Sequence, residues 1–256
     1  MKRSSGARLC ATAAVGALSL ALLTGCSDGG SGDGKGGSAK ALTAAELKDR
    51  VIAKGEVPGF KVGAVKGGLP DKNKVRAEDT RCDPLLRALT AIAPGEPAAQ
   101  ASRMATEDKK DPTDDATSLD DLADGKFEDA LGKSMDLDVT VVTLASYDGD
   151  GAEKALKSVS DAVKACAGGF AGEQDGEKGK FSKVAEEKSS GTGDESVAFT
   201  ATNAGSDEGD MPLHGEVVRH GNTLATYSTI NIGAMMSKKP YTVSAPVIKA
   251  QAAKLK

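Results

Sequence analysis

The sequence predicts an α+β domain in which an antiparallel β-sheet packs against helices, preceded by a signal peptide and a flexible tether. Segments with helical apolar spacing lie mostly in the first two thirds of the chain, whereas residues 196–230 hold three short strand-like segments joined by turns. Helices that precede a run of strands are typical of α+β folds. A short hydrophobic run close to the N-terminus is followed by a Gly- and Ser-rich stretch, which separates the domain from its leader.

The N-terminal segment has the pattern of a bacterial lipoprotein signal. Lys2, Arg3 and Arg8 precede an apolar run at residues 11–23, which ends in a Leu-Thr-Gly-Cys motif at Cys26. The run is too short to span a membrane, which takes about 20 apolar residues, but it suits a signal peptide. We therefore predict cleavage before Cys26 and diacylglyceryl modification of its sulfur. The alternative is an ordinary secretory signal in which Cys26 is incidental.

This interpretation divides the chain into three parts. Residues 1–25 are the signal peptide, residues 26–40 carry the lipidated cysteine and a tether too polar to form a core, and residues 41–256 form a single extracytoplasmic domain. We expect the mature chain on the outer face of the cell membrane, where two acyl chains anchor a protein durably.

The charge of the chain argues against a nucleic-acid partner. The formal net charge is −4, and removal of residues 1–25 takes away three positive and no negative charges, leaving −7. Phosphate binding needs clustered Lys and Arg, and no such block is present in the sequence. The expected partners are the membrane and either a small ligand or an envelope protein.

The cysteines predict one disulfide. Cys10 is lost with the signal peptide and Cys26 is acylated, which leaves Cys82 and Cys166 in an oxidising compartment. We expect these two residues to be bonded, and the alternative is a pair of buried free thiols.

Several segments are predicted to be helical. Thr43 and Glu46 form a capping box at the first helix start, and Asp83 and Pro84 are a cap and first-turn pair at the second. Pro246 begins the last helix. The predicted helices are residues 43–54, 83–93, 118–131, 152–166 and the segment that follows residue 246.

The predicted strands follow from alternation and from turn chemistry. Gly221 and Asn222 tolerate positive φ and favour a hairpin between the last two strands. The acidic run at 107–115 lacks the spacing of a calcium loop and is predicted to be a solvated loop, as are residues 174–180 and 203–210. The predicted strands are residues 60–65, 98–106, 137–146, 181–189, 196–202, 213–219 and 223–230.

Five motifs recur in this order in a known family. They are Val-Pro-Gly-Phe at 57–60, Cys-Asp-Pro-Leu-Leu at 82–86, the strand-turn-helix at 139–166, Gly-Asp-Glu at 193–195, and Val-Val-Arg-His-Gly-Asn-Thr at 217–223. Together they resemble the extracellular sensor domain of PknH-type receptor serine/threonine kinases, which also occurs on actinobacterial lipoproteins. The resemblance implies an antiparallel sheet with helices around a cleft that binds an extracellular ligand. The kinases carry two disulfides, whereas only Cys82 and Cys166 are available here, which puts the shape of such a cleft in question.

The residues favour a binding protein over an enzyme. His214 and His220 are the only histidines, and we predict solvated or structural roles for them. The sequence has no nucleophile elbow, phosphate loop or zinc-protease motif, so no catalytic, cofactor-binding or metal-binding residue is predicted. Two hypotheses remain: a ligand-binding sensor module with its site between the sheet and the helices, and an envelope structural or interaction protein. Arg219 is the most plausible polar group beside such a site, with an ordinary surface charge as the alternative.

Overall fold

A computed structural model describes residues 40–109, 134–204 and 211–256. The predicted signal peptide, Cys26 and almost all of the tether lie outside these residues, as do the predicted helix at 118–131 and most of the loop at 203–210. In the described part, nine strands form one antiparallel sheet in the order β1-β3-β4-β9-β8-β7-β6-β5-β2. The strands are β1 (Phe60–Gly63), β2 (Val75–Ala77), β3 (Ala99–Glu107), β4 (Val139–Ser146), β5 (Phe170–Gln174), β6 (Glu177–Glu187), β7 (Glu195–Asn203), β8 (Met211–His220) and β9 (Thr223–Ile230).

Helices pack on both faces of the sheet, which confirms the predicted α+β class. The helices are α1 (Ala44–Arg50), α2 (Asp83–Leu89), α3 (Gly151–Ala165), α4 (Ile232–Ser237) and α5 (Ala245–Ala253). Residues of α2 and α3 share one hydrophobic cluster with Val197, Phe199 and Val217. Residues of α1 and α5 share a second cluster with Leu144 and Tyr227. No helix among the described residues is long and apolar enough to span a membrane.

The first helix begins as predicted but ends early. The capping box is present, because Thr43 accepts a hydrogen bond from the Glu46 amide while the Glu46 carboxylate accepts one from the Thr43 amide. The helix stops at Arg50 rather than near residue 54. The amide of Ile52 donates instead to the Gln251 side chain at 2.9 Å, and the Gln251 amide donates to the Arg50 carbonyl at 2.9 Å. A contact between distant parts of the chain thus replaces the last helical turn.

Three sequence-based expectations need correction. The alternation at residues 137–146 predicts a strand with one exposed face, but the consecutive residues Thr143, Leu144 and Ala145 of β4 are all fully buried, so both faces of this part of the strand are covered. Residues 174–180 were expected to form a loop, but they belong to the β5–β6 hairpin. Asp83 was expected to cap α2, but its carboxylate accepts from the Ala77 amide at 2.6 Å, which joins the helix start to β2.

Candidate functional site

A groove lies between helix α2 and the strands β5, β6, β7 and β8. Its volume is about 370 Å³. One wall is formed by Leu86 and Leu89 of α2, and the other by Phe181 of β6 and Leu213 of β8. We call this space the hairpin groove, because the β5–β6 hairpin supplies its floor. It is a small apolar concavity at the interface of sheet and helix, where the sequence places a ligand site if one exists.

Two glycines create the groove. Gly172 and Gly179 are paired across the hairpin, two positions after the pair Phe170 and Phe181 and therefore on the same face. The two phenyl rings stack with their centroids 4.7 Å apart and fill the space under the helix. At the glycine pair, the Leu86 side chain packs against Gly172, but no described residue covers Gly179. A Cβ on Gly179 would have no atom within 4 Å, so the floor opens to the groove at this residue.

Polar side chains stand at the rim of the groove. Gln174 and Glu177 form the last pair of the hairpin, on the same face as the two glycines because side chains alternate along a strand. Asn203 ends β7 and also lines the groove. Glu173, Asp175 and Lys178 line it too. The apolar walls therefore meet carboxylates, amides and one ammonium group, which donate and accept hydrogen bonds and can fix the orientation of an amphipathic molecule.

The helical wall is held in place at both ends. The Cys82–Cys166 disulfide joins the start of α2 to the end of α3, with the two Cα atoms 6.1 Å apart. This is the pairing that the sequence predicts. At the other end, the Ser228 hydroxyl donates to the Leu89 carbonyl and the Thr143 hydroxyl donates to the Ala91 carbonyl, both at 2.7 Å. The second wall rests on the sheet itself, so both sides of the groove are fixed.

The sequence misses the hairpin that forms the groove, although one signal marks it. Asp175 and Gly176 connect Gln174 to Glu177 and have φ values of 51° and 90°. An Asp-Gly pair with two positive φ values is the favoured two-residue hairpin turn. The charged residues on either side conceal the strand alternation, which is why composition alone predicts a loop.

Arg219 does not line the hairpin groove. Its guanidinium contacts Asp194 and Glu195, each at 3.2 Å. Asp194 also accepts a hydrogen bond from the Gly221 amide at 2.7 Å. These contacts join the Gly-Asp-Glu turn to the β8–β9 hairpin. Both are motifs that carry the family resemblance, and the contacts give them a structural role.

The two histidines lie outside the groove. His214 is buried on the opposite face of the sheet from Leu213, and its Nδ1 lies 2.9 Å from a Glu187 oxygen. The ring of Tyr241 packs edge-on against it, with the ring centroids 4.4 Å apart. Burial raises the pKa of Tyr241 to about 12. At His220, burial lowers the pKa of the imidazole, and the nearby Asp194 opposes this shift.

A second concavity of about 560 Å³ lies by the β2 and β5 edge of the sheet. Its lining alternates in charge across neighbouring strands, with Arg76 opposite Glu173 and Glu173 opposite Lys178. Opposite charges on neighbouring strands at an exposed edge neutralise one another and remain in contact with water. The hairpin groove shares Glu173, Asp175 and Lys178 with this concavity, but it also has apolar walls, which the concavity lacks. The groove is therefore the better candidate for a ligand site. Among the described residues, no group of three His, Cys, Asp or Glu side chains is placed to hold a metal ion.

Comparisons with known proteins give a distant likeness among solved structures. A scan against protein-family models finds no match, and a search of curated proteins finds none. Among solved structures, the extracellular domain of PknH from Mycobacterium tuberculosis is similar, with a TM-score of 0.49 and 11% sequence identity. The match covers 84% of this chain and 95% of that chain. It is a distant likeness of overall fold, and it assigns no ligand and no family to this chain.

Proposed function

We propose that this protein is a membrane-anchored extracytoplasmic lipoprotein whose domain binds a small amphipathic ligand in the hairpin groove without catalysing a reaction. The observation that carries the binding role is the open space above Gly179, beside the point where its partner Gly172 lets the fixed wall of α2 approach the hairpin. The signal-like segment that ends at Cys26 supports the anchor. The Cys82–Cys166 disulfide supports an oxidising compartment outside the cytoplasm.

A non-catalytic role is supported by the chemistry of the groove. Its polar groups are the amides of Gln174 and Asn203, the charged side chains of Glu173, Asp175, Glu177 and Lys178, and the hydroxyl of Thr90, which already donates to carbonyls of its own helix. Nucleophilic catalysis needs a base within hydrogen-bond reach of the nucleophile. Both histidines lie elsewhere, so the groove is better suited to holding a molecule than to transforming it.

The test is to purify the acylated chain natively and to identify co-purified small molecules by mass spectrometry. Gly179→Leu should abolish retention, because the new side chain would occupy the groove and the glycine φ is not positive. Gly63→Leu is the matched control, since Gly63 is also a strand glycine with no atom within 4 Å of an added Cβ. If the Gly179 variant keeps the same molecule as the parent chain, the groove is not the site.

A second function, interaction with another envelope component, is favoured by a separate observation. Ile232 and Met236 of α4 are exposed to solvent, although both are large and apolar. Exposed apolar groups that cluster together mark interaction surfaces. This function does not need the hairpin groove, and the same native purification distinguishes the two, because an interaction protein should co-purify with no small molecule.

A further inference from the structure

The exposed large apolar side chains of the described residues lie in one place. They are Met135, Ile232 and Met236, which are 38%, 49% and 68% exposed. Ile232 and Met236 are four residues apart on α4 and therefore share one face of the helix. Met135 is their neighbour, because a Cβ on Gly233 of the same helix would lie 2.7 Å from the Met135 carbonyl carbon. We call these three side chains the α4 patch.

Positive charges border the α4 patch. Lys238 directly follows the helix with a φ of 55° and is exposed, and Lys239 is 66% exposed. Two acidic groups lie at the other end of α4, where the Asn231 side chain donates to Asp136 at 3.1 Å and to Asp138 at 3.0 Å. The Asp136 carboxylate also lies 4.0 Å from the Lys239 ammonium. Apolar side chains next to exposed ammonium groups fit a partner that is apolar inside and negatively charged at its surface.

We infer that the α4 patch rests on the membrane, with Ile232 and Met236 at the boundary of head groups and acyl chains and with Lys238 and Lys239 against anionic phospholipid head groups. Interfacial segments bind bilayers by burying an apolar face at a shallow depth, while lysines beside that face contact anionic head groups. This inference rests on the anchored location in the proposed function.

A second copy of the chain fits the patch less well. A stable protein interface buries about 800 Å² on each partner, which is far more than three side chains provide. Two-fold pairing through the patch would also bring Lys238 and Lys239 of both copies together. A bilayer needs neither the area nor a matching shape, because an anchored domain is already held beside it at high effective concentration.

The length of chain before the domain permits this contact. Asn222, beside the start of β9, donates to the Lys40 carbonyl at 2.8 Å, so the chain joins the domain at that end of the strand. Helix α4 follows the other end of β9 (Thr223–Ile230). At the rise of an extended strand, the two ends of β9 are about 26 Å apart. The fourteen residues from Cys26 to Lys40 span at most about 50 Å. Cys26 and the α4 patch can therefore meet the same bilayer.

The test uses the mature chain from residue 26 with Cys26→Ser, so that no acyl chain contributes to binding. We expect it to sediment with vesicles of phosphatidylglycerol and phosphatidylcholine at millimolar lipid, and to do so much less with phosphatidylcholine alone. Lys238→Gln and Lys239→Gln should each lower the partition coefficient about fivefold, as expected for one juxtamembrane charge. Lys48→Gln, an exposed lysine on α1, is the matched control and should leave binding unchanged.

The decisive variant is Ile232→Asp with Met236→Asp, which should abolish sedimentation with either vesicle. Both side chains are exposed, so its melting temperature should equal that of the parent chain, and this equality shows that the fold is kept. Binding of the variant equal to that of the parent, or no binding of the parent to anionic vesicles, would overturn the inference. If the parent chain is a dimer in solution and this variant is a monomer, the patch is instead an interface with a second copy. Because the chain tested carries no lipid, these outcomes do not depend on acylation at Cys26.

Discussion

The side chain of Leu86 lies against the backbone of Gly172, so close that a Cβ on the glycine would be 2.7 Å from the leucine Cδ2. Helix α2 approaches the β5–β6 hairpin at this contact, which is also one edge of the hairpin groove. The approach is possible only because the residue has no side chain, whereas its cross-strand partner Gly179 has open space above it. Two paired glycines thus serve different purposes: one permits close packing and the other leaves room.

We expect Gly172→Ala to destabilise the domain, because the added methyl group must displace Leu86, which is buried. Extra volume in a packed core costs about 1–3 kcal/mol. The measurement is the free energy of unfolding in urea. Gly179→Ala is the matched control and should be neutral or slightly stabilising. Equal stabilities for both variants would show that α2 does not pack closely on the hairpin.

Loss of the disulfide should weaken the domain more than any single surface change. Cys82 and Cys166 are 84 residues apart, and a cross-link over such a loop stabilises by about 4–5 kcal/mol in the chain-entropy model. The variant Cys82→Ala with Cys166→Ala should show that loss in urea unfolding. The exported parent chain should have no thiol that reacts with an alkylating agent until a reductant is added. Two freely alkylated thiols in the native protein would contradict the prediction.

Gln251 is buried and joins two parts of the chain. Gln251→Leu would leave the Ile52 amide and the Arg50 carbonyl without their partner. The Ile52 amide is buried and an unsatisfied buried group costs about 1–3 kcal/mol, so we expect a loss of that size, whereas water can replace the partner of the Arg50 carbonyl. Lys249→Ala, an exposed position on the same helix, should change the unfolding free energy by less than about 0.5 kcal/mol. A leucine variant as stable as the parent would mean that water replaces the glutamine.

Asp138 gives a prediction about pH. Desolvation raises the pKa of its carboxyl, although the Asn231 side chain donates to it at 3.0 Å and opposes the shift. A carboxyl whose pKa rises on folding binds its proton more tightly in the native state, so its contribution to stability falls as the pH rises above its unfolded pKa of about 3.9. Asp138→Asn should therefore raise the melting temperature at pH 7, and the difference from the parent should vanish below about pH 3.9.

The matched control for this change is Asp161→Asn. Asp161 is an exposed carboxylate that pairs with Lys157 at 2.6 Å on α3. Its removal should slightly lower the melting temperature at pH 7, by the few tenths of a kcal/mol that a helical ion pair contributes. Melting temperatures that change in the same direction for both variants would mean that burial does not govern Asp138.

The proposed anchor predicts a change of location. Cys26→Ala should release the protein from membranes or block its processing, because no sulfur remains to carry the diacylglyceryl group. Cell fractionation followed by intact-mass measurement tests this. Unaltered membrane retention together with normal processing would exclude acylation at Cys26.

Local signals predict much of this fold. The capping box of Thr43 and Glu46 is present, and β9 has the predicted bounds because Gly221 and Asn222 set the turn before it. The end of α1 could not be predicted, since it depends on Gln251, about 200 residues away in the sequence. The groove was hidden for a similar reason. Gly172 and Gly179 become its floor only because the hairpin register places them opposite each other. The positions of the glycines in the sequence do not reveal that register.

The order of the strands has a consequence for how the chain is made. Strand β4 pairs on one side with β3, which precedes it in the sequence, but its neighbour on the other side is β9, and α5 then packs in the same cluster as α1. During synthesis from the N-terminus, the sheet therefore cannot be completed until β9 (Thr223–Ile230) has been made. We expect the polypeptide to remain incompletely folded during synthesis and during any passage across a membrane. The domain should fold only after the whole of it has been released. Truncation before residue 245 should leave a chain that is cleared by proteases rather than a smaller folded domain.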